Sequence, residues 1–145
     1  MRRPFAISSK VQVLSINLAL LVLSGCGAIT LGGRPSATCL PNTAQIEVYD
    51  TGMRRGCGCA EPAGQFFNQP NSLTCTVSVG AAVYFTYVGI QNQHLIVISG
   101  FTQGFPLRSS QDAGSVDVFP TNSSGVSYGF SDFYNGEIGG TIIVL

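Results

Sequence analysis

The sequence of 145 residues has little charge, with 10% charged residues and a formal net charge of zero. Its only lysine is Lys10. A nucleic-acid binder of the usual basic kind is excluded, because phosphate neutralisation needs clustered Lys and Arg. Disorder is excluded as well, because 45% of the residues are hydrophobic and the net charge is low.

The sequence also lacks the residues of common catalytic sites. It has no tryptophan and a single histidine, His94. Neither a Gly-x-Ser-x-Gly elbow nor a phosphate-binding Gly-x-x-x-x-Gly-Lys loop occurs. Glycoside hydrolysis needs two facing carboxylates, whereas Asp112, Asp117, Asp132 and Glu137 are scattered and are expected on solvated loops. We therefore expect no catalytic residues and a protein that is not an enzyme.

The N-terminal residues have the pattern of an export signal. Arg2, Arg3 and Lys10 give a basic start, and residues 11–23 form a mostly apolar stretch. This stretch is shorter than the roughly 20 residues that a transmembrane helix needs, and it fits the apolar region of a secretory signal.

The end of this apolar stretch resembles the lipobox of bacterial lipoproteins. Leu23-Ser24-Gly25-Cys26 has an aliphatic residue, two small residues and a cysteine. The resemblance implies cleavage before Cys26 and attachment of lipid, including palmitate, to that residue. It predicts a signal peptide over residues 1–25, a lipidated tether over 26–43 and a domain over 44–145. The expected location is the bacterial cell envelope, at the outer membrane if the bacterium has one.

Four further cysteines remain after lipidation, an even number that favours two disulfides in an oxidising compartment: Cys39, Cys57, Cys59 and Cys75. Neighbours as close as 57 and 59 cannot pair without strain. The pairings left open are 39–57 with 59–75, or 39–59 with 57–75. A four-sulfur metal site is the alternative, but zinc sites usually have a close pair at both ends of the motif.

The remainder of the chain is a series of short strand-like segments separated by Gly, Asn, Ser and Pro. Seven segments have period-two alternation or a continuous apolar character. They are residues 44–49, 73–79, 82–88, 94–101, 115–119, 126–130 and 140–145. This pattern predicts an all-β fold, an antiparallel Greek-key β-sandwich of about seven strands. Between the first two segments, Arg54 and Arg55 are expected to be solvated and residues 61–70 to form a loop.

Two parts of this β-rich region resemble the cupredoxins, a family of small copper-binding β-sandwiches. Residues 77–85 followed by His94 are similar to the strand pair that precedes the first histidine ligand. Residues 125–130 and 138–144 are similar to the last hairpin of the family. The resemblance implies a cupredoxin-like sandwich, with an immunoglobulin-like one as the alternative.

The loop of that hairpin departs from the family pattern. A cupredoxin has Cys, His and usually Met there, but residues 131–137 contain neither Cys nor His, and Ile138 occupies the methionine position. Only His94 carries over as a metal ligand. The alternative for His94 is a histidine at a strand edge that forms a hydrogen bond or faces water. The sequence predicts no cofactor, with copper at His94 as the alternative.

Aromatic residues are the last notable feature. Tyr128 and Phe130 alternate inward and are expected in the core, whereas Phe133 and Tyr134 are candidates for contact with a partner. The sequence thus predicts a membrane-anchored lipoprotein with a non-enzymatic binding or structural role in the envelope. Its partners would be the membrane, through the N-terminal lipid, and an envelope protein, with no nucleic acid. The alternative is a periplasmic or surface copper-binding protein using His94.

Overall fold

The computed structural model describes residues 39–136 and 138–145. The predicted signal peptide, Cys26 and the predicted tether up to residue 38 lie outside the described residues. Within the described part, no helix has the length and apolar character needed to cross a membrane.

Nine β-strands and one 3₁₀ turn make up the regular structure of the described residues. The strands are β1 (Thr43–Tyr49), β2 (Gly52–Arg55), β3 (Phe66–Phe67), β4 (Leu73–Val77), β5 (Ala82–Tyr87), β6 (Ile96–Ile98), β7 (Val116–Pro120), β8 (Val126–Asp132) and β9 (Gly139–Val144). The 3₁₀ turn spans Ser110–Asp112. The predicted all-β class is confirmed, and each predicted segment contains a strand.

The strands form two sheets that pack as a sandwich. One sheet has the order β3-β2-β1-β5-β7 and the other has the order β4-β9-β8-β6. Two pairs, β1 with β5 and β4 with β9, are parallel, so the sheets are mixed and not purely antiparallel as predicted. Side-chain alternation is the same in both directions and carries no information on strand direction. After β1, β2 and β3 in the first sheet, the chain crosses to the second sheet as β4. It then returns to the first sheet as β5, which runs in the same direction as β1.

Strands β2 and β3 were not predicted. The two arginines of β2 are typical of solvated residues, and β3 lies within the Pro- and Gly-containing residues 61–70 that were expected to be a loop. Arg54 faces outward and forms an ion pair with Glu47. Arg55 faces inward and is 5% exposed. Its Nη1 donates to the carbonyl of Pro62 at 3.1 Å, and its guanidinium lies 4.9 Å from the centre of the Phe67 ring. The prediction that both arginines are solvated is therefore wrong for Arg55.

The core lies between the sheets and is formed by alternate strand residues. On β1, for example, Ala44, Ile46 and Val48 are fully buried. Phe85 and Phe130 come from opposite sheets and meet edge-on at 5.2 Å between ring centres. Burial of each large apolar side chain contributes about 1.5–3 kcal/mol. The expected core position of Phe130 is thus confirmed; that of Tyr128 is met in part, because this side chain is half-buried against the core.

Two disulfides cross-link the region around the start of β1. They join Cys39 to Cys57 and Cys59 to Cys75. This is the first of the two pairings that the spacing left open, and it uses the four sulfurs of the alternative metal site. The glycine between the bridges, Gly58, has a φ of 84° and lies so close to the backbone of β1 that a Cβ would collide with it.

Candidate functional site

His94 lies in the connection between β5 and β6, where the two sheets meet at one end of the sandwich. Its backbone pairs with Arg108, with N–O distances of 2.9 and 2.8 Å. The predicted strand from residue 94 to 101 is reduced to Ile96–Ile98, and His94 stands before it as an isolated bridge. The residue is 1% exposed, so it does not face water.

Both ring nitrogens of His94 contact carboxylates. Nδ1 is 2.5 Å from Oδ2 of Asp132, and Nε2 is 2.9 Å from Oδ1 of Asp50. An ionised carboxylate only accepts hydrogen bonds, so both nitrogens donate when both acids are charged, and the ring is then an imidazolium. We call these three residues the His94 clamp.

The two carboxylates of the His94 clamp also bind backbone amides from neighbouring loops. Asp132 Oδ1 accepts from the amides of Leu95 and Tyr134, both at 3.1 Å. Asp50 accepts from the amides of Gln91 and Asn92. The clamp therefore joins the β1–β2 turn, the β5–β6 connection and the β8–β9 loop through charge-assisted hydrogen bonds.

The pKa directions agree with a charged clamp. Burial by itself would lower the pKa of His94, but the hydrogen bonds to Asp132 and Asp50 outweigh it and raise the pKa above the ordinary value of 6.5. Burial by itself would raise the pKa of Asp50, but His94 and the two loop amides lower it below 3.8. Both shifts favour the charged pair, with His94 as a cation beside ionised Asp50.

A second ionic group lies next to the clamp. Arg108 pairs with Asp117, which also accepts a hydrogen bond from the Tyr87 hydroxyl at 2.8 Å. The hydrogen bond to Asp117 raises the pKa of Arg108. Burial, followed by the bond to Asp117, raises the pKa of Tyr87. The Tyr87 ring lies 6.4 Å from the His94 ring, so the two groups form adjacent layers of one polar end.

Two acids of these groups were expected on solvated loops, and that prediction is wrong. Asp117 is 5% exposed and Asp132 is fully buried. The signal was present in the alternation: Asp117 lies at an inward position of β7, two residues before Phe119, and Asp132 lies two residues after Phe130 on β8. An acid at an inward strand position needs a cationic partner, and the only histidine was a candidate.

The clamp does not fit a copper site. Asp50 and Asp132 bind opposite edges of the His94 ring, so an ion at either nitrogen faces only one of the two carboxylates. Residues 39–136 and 138–145 contain no group of three His, Cys, Asp or Glu side chains able to hold a metal. All four described cysteines are in disulfides, and Ile138 is buried as a core residue. The arrangement is suited to fixing loops.

The loop after Asp132 presents two aromatic side chains to solvent. Phe133 is 69% exposed and Tyr134 is 52% exposed, with their rings edge-to-face at 5.4 Å. Their backbone is fixed, because the Phe133 amide donates to the Leu95 carbonyl at 2.9 Å and the Tyr134 amide donates to Asp132. We call Phe133 and Tyr134 the aromatic tip. Their contact with a partner remains a prediction.

The aromatic tip and the first described residue lie at opposite ends of the sandwich. Strand β1 starts next to the Cys39–Cys57 bridge and ends beside Asp50 of the clamp. Its seven residues span about 20 Å at 3.3 Å per residue. The molecule thus has a disulfide-bonded end and an ionic, aromatic end.

No protein-family model and no curated protein matches this sequence. Among solved structures, the chain is similar to a purple cupredoxin from Nitrosopumilus maritimus, with 18% identity, a TM-score of 0.46, and coverage of 70% of this chain and 99% of that one. It is also similar to amicyanin from Paracoccus versutus, with 13% identity, a TM-score of 0.49, and coverage of 76% and 88%. Sequence identities of 18% and 13% give no indication of whether this chain binds copper. Its own strands and cysteines define the described domain as a β-sandwich with two disulfides.

Proposed function

We propose that this chain is a non-enzymatic, membrane-anchored module of the bacterial envelope that binds an envelope protein through the aromatic tip. The observation that carries the proposal is the exposed pair Phe133 and Tyr134 on a loop fixed by the buried His94 clamp. Large apolar side chains are usually withdrawn from water, so a fixed, exposed aromatic pair favours a contact surface.

The rigidity of the tip supports binding. Ordering a loop on association costs free energy, and a loop that is already ordered avoids that cost. The tip is connected to the clamp at Asp132, and Asn135 adds a hydrogen bond from Nδ2 to the Asp50 carbonyl at 3.3 Å. Aromatic side chains held in this way are the residues that most often dominate binding energy at interfaces.

The direction of the chain supports display away from a membrane. The described chain begins at Cys39, at the end of β1 opposite to the aromatic tip. The chain therefore enters the described domain at the end far from the tip. The anchor that the lipobox predicts is a lipid on Cys26. Replacement of Cys26 by Ser tests the anchor: we expect the protein to move from the membrane fraction to the soluble fraction.

Site-specific photocrosslinking in the native envelope tests the tip. A photoreactive phenylalanine analogue replaces Tyr134 in one version of the full chain and Val118, an exposed residue of β7, in the control. We expect one discrete crosslinked protein from position 134 that is lost when Phe133→Ser is added. Equal crosslinking from both positions, or a product at 134 that is insensitive to Phe133→Ser, would contradict the proposal.

Copper binding at His94 is the alternative function, and its support is the partial resemblance to cupredoxins. An ion would have to displace a proton and a carboxylate from the ring, so we expect no tight binding. Calorimetric titration of the full chain with Cu(I) and Cu(II), with His94→Ala as control, tests this. Stoichiometric binding that the variant loses would establish the copper function in place of the display of a tip.

A further inference from the structure

A cleft of about 480 Å³ lies at the disulfide-bonded end, between the connection that follows β6 and the β7–β8 loop. Pro120, one of its lining residues, pairs with Ala82, which in turn pairs with Thr43 at the start of β1. The cleft is therefore at the other end of the sandwich from the aromatic tip. Its volume lies within the range of small-molecule sites in proteins.

Three aromatic side chains line the cleft. Phe119 is 3% exposed, and its ring meets the rings of Phe101 and Tyr128 edge-on at 5.3 and 5.0 Å between centres. The contacts come from three separate parts of the chain, so the aromatic lining is part of the core packing and is present before any ligand binds. Ring faces carry partial negative charge and attract weakly positive C–H groups.

Uncommitted polar side chains surround these rings. They belong to Thr102, Gln103, Asn122 and Ser123, together with the hydroxyl of Tyr128. Four of these residues are exposed and Tyr128 is half-buried, and none of the five side chains forms a hydrogen bond with another residue in the part of the chain that the structure describes. The two amides alone offer several donors and acceptors at one opening.

The backbone next to these polar side chains is held in place. Thr121 is fully buried, and its hydroxyl donates to the Ala81 carbonyl at 2.6 Å. Its amide donates to the same carbonyl at 3.0 Å, and its own carbonyl accepts from the Gly80 amide at 2.6 Å. Asn122 and Ser123 therefore project from an anchored residue, which lowers the entropic cost of ordering them around a ligand.

The cleft has no charged side chain among its lining residues. A charged ligand would find no opposite charge, and a purely apolar ligand would bury five polar groups without partners. A ligand that matches has an apolar C–H face and several neutral hydroxyl or amide groups. We propose that this cleft binds a neutral saccharide, with a pyranose ring on the aromatic side chains and its polar groups bonded to Gln103 and Asn122. This proposal is independent of the aromatic tip.

NMR titration of the full chain with chitotriose, in a detergent without a sugar headgroup, tests the proposal. We expect saturable shifts at the cleft and none at the tip. The double variant Gln103→Ala, Asn122→Ala is expected to weaken binding about tenfold. The matched control, Gln93→Ala with Asn68→Ala, removes two exposed amides elsewhere and is expected to leave binding unchanged.

A second variant separates binding from folding. Tyr128→Phe keeps the ring that packs on Phe119 but removes the hydroxyl, and we expect about a threefold loss of affinity with an unchanged unfolding midpoint. Absence of saturable binding up to about 10 mM would overturn the proposal. An equal loss in the Gln93 and Asn68 control, or tighter binding of an acidic uronic trisaccharide than of chitotriose, would also overturn it.

Discussion

The two ends of the sandwich are held by different chemistry. At the end where the described chain begins, disulfides 39–57 and 59–75 tie the segments around β1, β2 and β4 together. At the opposite end, the His94 clamp joins three loops by hydrogen bonds between charged groups. The disulfides require oxidised cysteines, and the His94 clamp requires a protonated ring beside ionised carboxylates. Reduction should therefore weaken one end, and a change of pH should weaken the other.

The first prediction concerns the disulfide-bonded end and has the largest expected effect. The bridges close loops with sequence separations of 18 and 16, and removal of each is expected to lower the free energy of unfolding by about 3 kcal/mol. Replacing both pairs by Ala gives a loss of about 6 kcal/mol if the two effects add. Urea unfolding at pH 5 and at pH 8 measures the loss.

The loss from the disulfides is expected to be the same at both pH values, because disulfide-bonded cysteines do not titrate. The Cys59 and Cys75 pair is expected to cost more than the other pair, since Cys75 is fully buried and its replacement leaves a small cavity. A loss that changes with pH as the clamp does would show that the two ends are coupled.

The second prediction concerns substitutions in the His94 clamp, at the opposite end. His94→Ala leaves the fully buried Asp132 without its cationic partner, and we expect a loss of about 3–5 kcal/mol at pH 6. Asp50→Asn is expected to cost only about 1 kcal/mol, because the Asp50 side chain is 22% exposed and an Asn oxygen can still accept from Nε2 of His94. Urea unfolding with Gln93→Ala as an exposed control measures both. A cost of His94→Ala below that of Asp50→Asn would refute the clamp.

The sequence predicts the disulfide-bonded end better than the end that holds the His94 clamp, for a physical reason. Alternation and an even number of cysteines are local or countable signals, and they predicted the sandwich class, most strands and two disulfides. The clamp joins His94 to acids that are 38 and 44 residues away along the chain. No local pattern encodes which acid faces which histidine, because that depends on how the sheets stack.

Other differences arise from the same limit. The parallel direction of β1 and β5 depends on the path of the chain through the second sheet. Strand β2 was missed because Arg54 and Arg55 look like surface residues in isolation, whereas Glu47, Pro62 and Phe67 supply their partners. The disulfide pairing was open to two solutions and needed the relative positions of β1 and β4.

The third prediction uses pH to weaken the His94 clamp without affecting the disulfides. The pKa of His94 is raised in the folded protein, so its contribution is complete below the unfolded value of 6.5 and is lost as the pH rises through the folded value. The pKa of Asp50 is lowered, so its contribution is present above 3.8 and is lost as the pH falls through the folded value. Stability is therefore expected to be greatest between these limits.

On the alkaline side, stability is expected to fall between pH 6 and pH 8, with a slope of at most about 1.4 kcal/mol per pH unit, the limit for one titrating group. Thermal or urea unfolding across this range measures it, with His94→Gln as the comparison. The variant has no titrating ring and is expected to give a flatter profile. A profile of the same slope in both proteins would assign the pH dependence to other groups.

The fourth prediction has the smallest expected effect. It separates a binding role of the aromatic tip from a role in the stability of the fold. The double variant Phe133→Ser, Tyr134→Ser removes two exposed rings, and we expect the free energy of unfolding to change by no more than about 0.5 kcal/mol per substitution. Phe130→Ala, on the preceding strand β8 and 2% exposed, is expected to cost about 3–5 kcal/mol. A large loss from the double variant would mean that the rings pack against the domain. A negligible loss, combined with loss of the position-134 crosslink when Phe133→Ser is added, would mean that the two rings serve binding and not the stability of the fold.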